Sequence, residues 1–188
     1  MKIKNTSSCL AIVVLVLAAG LPMTAVADKT IEVNMFFAGA FATGILHVDP
    51  MTGNLVPSAL IHVQAKGSPG KAVIRGYGAG ADEMPAFTIS CLGASSDDGF
   101  LRIEAGEDPL LFTFQDLSLL FANGDGEICI NLTTGISEFR FDISFTGGTG
   151  RFEGAWGTAV ITGEAVPVSN DGSFLAETGT IVGTIHLP

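Results

Sequence analysis

The sequence predicts an all-β protein that forms a closed antiparallel β-barrel of about eight strands. Apolar and polar residues alternate with period two in short runs, and turn-forming residues separate the runs. Period two is the spacing of a strand that has one buried face. Glycines, 24 in total, also occur inside the runs, where they let a small sheet bend and close. This favours a barrel over a sandwich.

The clearest strand covers residues 139–146, where Phe139, Phe141, Ile143 and Phe145 alternate with polar residues. Residues 178–185 alternate in the same way. The other predicted strands are Ile31–Val48, Leu55–Ala65, Gly70–Tyr77, Ala86–Leu92, Phe100–Glu104, Leu110–Phe121 and Glu127–Leu132, and alternation resumes at Thr158. Turns are predicted at residues 49–54, 97–99, 123–126 and 170–172, which are rich in Gly, Asn and Asp.

The N-terminus has the pattern of a secretory signal peptide. Lys2 and Lys4 precede a short apolar run, Leu10–Ala19, and Ala25-Val26-Ala27 gives a small-x-small cleavage site. We therefore predict that residues 1–27 are removed and that residues 28–188 form one domain of a secreted or periplasmic protein. The apolar run is too short for a membrane-spanning helix. An outer-membrane barrel is a less favoured alternative, because Gly and Thr occupy positions that would need lipid-facing bulk.

The composition is acidic, with a formal net charge of −10. Without Lys2 and Lys4 the mature chain keeps 7 of the 9 basic residues and all 19 acidic ones, so its net charge becomes −12. Such a surface repels nucleic acid and anionic lipid, and we expect neither as a partner.

Two cysteines, Cys91 and Cys129, remain after the signal peptide is removed. An even pair in an oxidising compartment predicts a disulfide. The alternative is that both are small core residues too far apart to bond. Neither belongs to a CxxC pair, so the cysteines do not indicate a zinc site.

Residues 147–163, GGTGRFEGAWGTAVITG, form the most distinctive segment. The first glycines predict a turn with backbone angles closed to residues that carry a Cβ, and the later ones a bend or bulge. No GxxxxGK pattern is present and no helix is predicted after the segment, so it is not a phosphate loop. We predict a sheet corner whose structural residues are Gly147, Gly148, Gly150, Phe152, Gly154 and Gly157.

This segment resembles the GG[ST]GxFEGxxG segment of the allene oxide cyclase barrel, and dirigent proteins carry a similar GGTGxF turn. The preceding GEICINLTTGISEFRFDISFTGG resembles the strand–turn–strand layout that comes before the motif in that family, so the likeness covers residues 127–163. The resemblance implies an eight-stranded antiparallel barrel, often a trimer, with an apolar cavity for a lipid-like or phenolic ligand.

The resemblance also implies candidate catalytic residues. In the cyclases a Glu and an Asn in ExN spacing on the first strand face the cavity, and Glu32-Val33-Asn34 matches this spacing. Period two places Glu32 and Asn34 on one face, and a carboxyl inside an apolar barrel can handle a proton. The alternative is an exposed pair. The family's catalytic Tyr has no counterpart, because the strand before the motif carries Phe residues. This weighs against an enzyme.

Other constellations are weaker. His47, His62 and His186 would form a metal site only if the strand register brought them together, and isolated histidines are favoured. Asn123, Asp125 and Glu127 alternate like the start of a calcium loop but lack its later ligands, which favours a hairpin turn. The sequence lacks the GxSxG elbow that would indicate a hydrolase. We therefore predict no metal and no cofactor.

The leading functional hypothesis is a barrel that binds a small apolar molecule in its interior. The alternatives are a cyclase or isomerase that uses Glu32 and Asn34, and a structural or surface-interaction protein whose barrel is completely filled by side chains.

Overall fold

The computed structural model describes residues 29–48, 55–79 and 99–188, with side chains described at residues 29–43, 59–77, 99 and 109–188. Its eight antiparallel strands follow one another around a closed barrel, and β1 also pairs with β8. The strands are β1 Lys29–Val48, β2 Leu55–Ser68, β3 Gly70–Ala79, β4 Phe100–Phe114, β5 Leu119–Asn131, β6 Ser137–Gly148, β7 Trp156–Pro167 and β8 Phe174–Leu187, with a 3₁₀ turn at Gly150–Phe152. The predicted fold class is confirmed.

Several sequence predictions lie wholly or partly outside the described residues: the signal peptide 1–27, the turns at residues 49–54 and 97–99, the strand Ala86–Leu92 and Cys91. Cys129 lies on β5 and is buried. The disulfide therefore stays a prediction. Within the described ranges, no helix has the length and apolar character needed to cross a membrane.

Along the strands, described side chains that face the barrel interior alternate with side chains that face outward. On β1 the inward residues Val33, Met35 and Phe37 are buried, and on β8 the inward residues Ile181 and Ile185 are fully buried. The interior is thus a packed apolar core in the middle of the barrel, as expected for a closed sheet of this size.

Inward-facing glycines make room for phenylalanine rings. A Cβ on Gly163 would lie 2.5 Å from Cζ of Phe139, and one on Gly179 would lie 2.6 Å from Cζ of Phe37. These two rings stack on each other, with centroids 6.3 Å apart. Because β7 and β8 lack side chains at these positions, two aromatic rings fit across a narrow barrel.

Two predicted elements are wrong. Residues 110–121 are not one strand: β4 ends at Phe114, residues 115–118 form a turn, and β5 begins at Leu119. The predicted turn at residues 123–126 lies instead within β5. Gly124 is used there for close packing, because a Cβ on it would lie 2.8 Å from Cγ2 of Ile143 on β6. The glycines at 124 and 126 thus fit the barrel wall and not a bend in the chain.

The connections divide between two ends of the barrel. The β2–β3, β4–β5 and β6–β7 connections lie at one end, which we call the motif end because it contains residues 149–155. The opposite end contains the β5–β6 connection at residues 132–136 and the β7–β8 connection at residues 168–173. We call it the Glu177 end, after a residue near the start of β8.

Candidate functional site

The glycine motif closes one end of the barrel with a buried aromatic ring. Phe152 has 0% of its surface exposed, and its ring lies 4.6 Å from that of Phe114. The guanidinium of Arg151 covers both rings, 4.8 Å from the centroid of Phe114 and 4.7 Å from that of Phe152. The motif therefore acts as a lid that completes the core at the motif end.

Hydrogen bonds join the motif to the β4–β5 turn. The backbone N–H of Leu119 donates to Oγ1 of Thr149 at 3.2 Å, and the N–H of Thr149 donates to the carbonyl of Leu119 at 2.9 Å. The N–H of Arg151 donates to Oγ of Ser118 at 3.3 Å. Arg151 Nε also pairs with Oδ2 of Asp116 at 3.2 Å. The N–H of Ser118 donates to the Asp116 carboxylate, and this bond is the main reason that the pKa of Asp116 is lowered.

Gly150 shows why this corner needs glycine. Its φ is +61°, and a Cβ on it would lie 2.6 Å from Oγ of Ser118. Gly147, Gly154 and Gly157 also have positive φ, and Gly148 lies directly against the carbonyl of Leu119. The motif thus makes its contacts with its own barrel, which is the behaviour of a sheet corner.

Glu32 and Asn34 lie on one face of β1, and that face is the exposed one. The buried face belongs to Val33, Met35 and Phe37. The cavity-facing position that the family resemblance implies for Glu32 and Asn34 is therefore corrected to the outer surface. The physical reason is the period of two: the apolar residues of β1 take the interior, and the polar residues between them point to solvent.

A different carboxyl lies inside the barrel. Glu177 on β8 has only 6% of its surface exposed and faces inward in the same row as Leu175, Ile181 and Ile185. Its backbone lies between Gly39 of β1 and Ala165 of β7. Its Oε1 atom is buried without a hydrogen-bond partner within the described part of the chain.

Burial raises the pKa of Glu177 from 4.5 to about 7. The cause is desolvation, since removal from water disfavours the charged form of a carboxyl. Perturbed carboxyls in concave, apolar surroundings are candidates for functional sites. At neutral pH both protonation states of Glu177 are populated, so it can donate or accept a hydrogen bond.

The surroundings of Glu177 are apolar and more accessible than the centre of the core. Phe139 and Leu175 are each 8% exposed, whereas Ile181 and Ile185 are 0% exposed. Further inward residues at this end are only partly buried: Phe41, Ile61, Ile128 and Phe141. Ser137 on β6, opposite Ala165, is a second buried polar side chain among the described residues of this end. Among its described residues, the Glu177 end thus combines aromatic side chains, a buried carboxyl and partly buried apolar positions.

A groove of about 310 Å³ lies on the outer surface of β5–β8. Outward-facing Asp125, Asp142, Thr158 and Val182 line it. It is separate from Glu177, which points to the other side of the sheet. Asn123 and Glu127 do not join Asp125 in a loop, because all three belong to the extended strand β5. The calcium-loop alternative is therefore wrong.

The histidines are dispersed. His62 is exposed opposite Ala40, whereas His186 lies opposite Thr30 and stacks on Trp156 at 4.1 Å. Positions 30 and 40 of one strand are ~33 Å apart. The three-histidine alternative therefore fails for this pair, and the side chain of His47 lies outside the described residues. Among the described residues, no group of three His, Cys, Asp or Glu side chains has the geometry of a metal site.

Sequence reasoning missed Glu177, although a signal exists. The alternation in residues 178–185 puts Gly179, Ile181, Gly183 and Ile185 in one row, and two steps back from Gly179 is Glu177. An acidic residue in an otherwise apolar row is the mark of a buried carboxyl or of a strand end that leaves the core. The strand pairing decides between them.

Comparison with known proteins adds little. No family model matches the chain, and no curated protein does. Among solved structures, a pterocarpan synthase dirigent protein is similar, with a TM-score of 0.42 and 12% sequence identity over 93% of this chain and 100% of that chain. A likeness of this size carries no argument about function. The barrel assignment rests on the strand pairing of this chain.

Proposed function

We propose that this protein is a binding barrel for a small, largely apolar molecule that enters at the Glu177 end. The carboxyl of Glu177 makes the polar contact with that molecule. The observation that carries the proposal is the buried oxygen of Glu177, which lacks a hydrogen-bond partner within the described structure. An unsatisfied buried polar group costs about 1–3 kcal/mol, so a ligand that bonds to it is favoured.

The walls of this end support the proposal. Ligand sites are mostly apolar clefts with a few polar groups that fix orientation. The rings of Phe139 and Phe141 lie 5.9 Å apart, and Phe37 stacks on Phe139. A carboxyl above aromatic walls fits a ligand with an apolar body and one polar group.

A dye-binding experiment tests this proposal. We expect N-phenyl-1-naphthylamine, a neutral apolar dye, to bind saturably and with enhanced fluorescence. Ala165→Phe fills the space next to Glu177 and should abolish binding, since Ala165 faces inward and is buried. Val166→Phe is the matched control, because Val166 points outward on the same strand and is 38% exposed. Circular dichroism checks that both variants fold.

The same experiment also tests the alternative of a structural barrel that is completely filled by side chains. If wild-type protein shows no saturable dye binding, the barrel is filled by its own side chains and the binding function is overturned. Native mass spectrometry of protein from its own source is an independent test of the same proposal, and we expect it to show a co-purified small molecule.

A second candidate function is proton transfer on the bound molecule, as in a cyclase or isomerase. It is favoured by the pKa of Glu177 near 7, since a general acid or base works best near the operating pH. Deuterium incorporation from D₂O into a co-purified ligand would support it. Glu177→Gln should then stop the exchange without stopping binding.

The cellular location is a separate proposal. We infer that residues 1–27 are removed, that residues 28–188 are a single secreted or periplasmic domain, and that Cys91 and Cys129 form a disulfide. Cleavage after Ala27 would leave one residue, Asp28, before β1 begins at Lys29, so removal leaves the barrel intact. N-terminal sequencing checks the cleavage. An intact mass that rises by two hydrogens on reduction checks the disulfide.

We also propose that copies of the chain associate through the outer face of β8, in agreement with the trimer that the family resemblance implies. The outward residues of β8 are uncharged, and Val182 and the neighbouring Phe36 are 54% and 47% exposed. Because each mature copy would carry a net charge of −12, contact is favoured where charge is absent. Val182→Glu should yield monomers by light scattering. Val168→Glu, which lies on the β7–β8 connection at 57% exposure, should not.

A further inference from the structure

We propose that the molecule bound at the Glu177 end is an amine: an apolar body that carries a protonated amino group, which pairs with the Glu177 carboxylate. This inference rests on the binding function proposed above and names its ligand class. Three observations carry it: the missing counter-charge of Glu177, the aromatic rings next to it, and the charge of the whole molecule.

The first observation is that no described side chain supplies a cation to this carboxyl. Among the described side chains of β1, β6, β7 and β8, the inward positions hold no second titratable group. The charged residues of these strands point outward, as the exposure of Glu32, Glu138, Arg140 and Glu164 shows. The inward neighbours of Glu177 are Gly39 and Ala165, which have no polar side chain. Within the described structure the carboxylate thus has no counter-ion, and the amino group of a ligand would provide one.

The second observation is the aromatic cluster below the carboxyl. Cζ of Phe37 lies against Gly179, and Cζ of Phe139 lies against Gly163. Gly179 is two residues from Glu177 on the same face of β8, a step of ~7 Å. Ring faces attract an ammonium group within about 6 Å of their centroids. An ammonium ligand can donate hydrogen bonds to the carboxylate and contact the aromatic rings, whereas a neutral ligand makes no use of the negative charge.

The third observation is the long-range field. The chain has 19 acidic and 9 basic residues. The resulting negative potential concentrates cations near the surface and repels fatty acids and other anions. An amine is attracted toward the barrel before it makes any contact.

The carboxyl also makes amine binding dependent on pH. Burial raises the pKa of Glu177 to about 7, and no charged side chain contributes to that shift. An ammonium ligand pairs with the ionised form only. Its affinity should therefore fall as the pH drops below 7, whereas a neutral ligand that accepts a hydrogen bond from the protonated acid should bind more tightly.

Calorimetric titration with two matched probes tests the inference. The probes are n-octylamine, which is protonated below a pH of about 10, and 1-octanol, which has the same chain and no charge. At a pH of about 8, we expect octylamine to bind the wild type about tenfold more tightly than octanol. At a pH of about 5.5 this preference should disappear.

Two variants test whether the preference for octylamine depends on Glu177. Glu177→Gln should weaken octylamine about tenfold and leave octanol unchanged. Glu164→Gln is the control, since Glu164 is exposed on the outer face of β7, and it should change neither affinity. The pH series on wild-type protein gives the same information without a substitution if a variant fails to fold.

Two results would overturn the inference in different ways. If wild-type protein binds octanol as tightly as octylamine at both pH values, the ligand is not an amine, although the binding function stands. If neither probe binds, both the ligand class and the binding function are wrong.

Discussion

The two ends of the barrel treat polar groups in opposite ways. At the motif end, Arg151 pairs with Asp116, Ser118 bonds to the motif, and Phe152 is fully buried beneath them. At the Glu177 end, a carboxyl is enclosed by apolar residues, with one oxygen lacking a partner within the described structure. The comparison separates stability from function: the distinctive sequence motif stabilises one end, and the unsatisfied chemistry lies at the other.

The largest expected effect is at the motif end. Phe152→Ala should lower the free energy of unfolding by about 3–5 kcal/mol, because it removes a fully buried ring from a packed core. Urea denaturation measures it. Phe174→Ala is the control at the other end, since Phe174 is 44% exposed, and it should cost about 0.5 kcal/mol or less. Similar losses for both variants would show that Phe152 does not complete the core.

At the Glu177 end, we expect Glu177→Gln to be more stable than the wild type near neutral pH. The pKa of Glu177 is 4.5 in the unfolded chain and about 7 in the folded protein, so the folded state binds more protons between these values. Wild-type stability should therefore decline as the pH rises from about 4.5 to 7, by about 3 kcal/mol relative to Glu177→Gln. Urea denaturation across this pH range checks it. Parallel pH curves for the two proteins would contradict burial of the carboxyl.

Substitutions at two glycines, one at each end of the barrel, should have effects of intermediate size on stability. Gly150→Ala should cost about 2 kcal/mol, from its positive φ and from contact with Ser118. Gly172 has a similar φ of +69° but has no atom within 4 Å of a Cβ placed on it. Gly172→Ala should therefore cost only about 1 kcal/mol. Thermal unfolding compares the two, and equal costs would mean that the Ser118 contact is unimportant.

The smallest effect concerns Arg151. Arg151→Gln should cost about 0.5–1 kcal/mol, because the guanidinium covers two aromatic rings. Arg140→Gln is the control, since Arg140 pairs with Asp142 at the same 3.2 Å but on an exposed outer face. Its loss should be close to zero. Urea denaturation measures both, and a larger loss for Arg140 would show that ring contact adds nothing at the motif end.

Part of the fold was readable from local patterns. The alternation at residues 139–146 lies within β6, and the glycine motif lies at a sheet corner. The turn predicted at Asn123–Gly126 was wrong, because glycines that favour a turn also allow two strands to pack closely. Residues 115–118, which form the real turn, contain no glycine or proline and gave little warning.

The candidate site was harder to predict for a related reason. Spacing showed that Glu32 and Asn34 share a face, and it left open which face of β1 is enclosed. The apolar residues Val33, Met35 and Phe37 indicate that the other face is enclosed, whereas the short ExN match favoured the face of Glu32 and Asn34. Glu177 stood in an apolar row that could equally have ended at a solvated strand terminus.

By itself, the sequence determined the strand period, the all-β class and the glycine corner, because these depend on neighbours along the chain. Only the tertiary structure decided which side of each strand lies inside, and that Glu177 is enclosed between Gly39 and Ala165. Period two defines two faces of a strand, but burial arises only when the strands pair and the barrel closes.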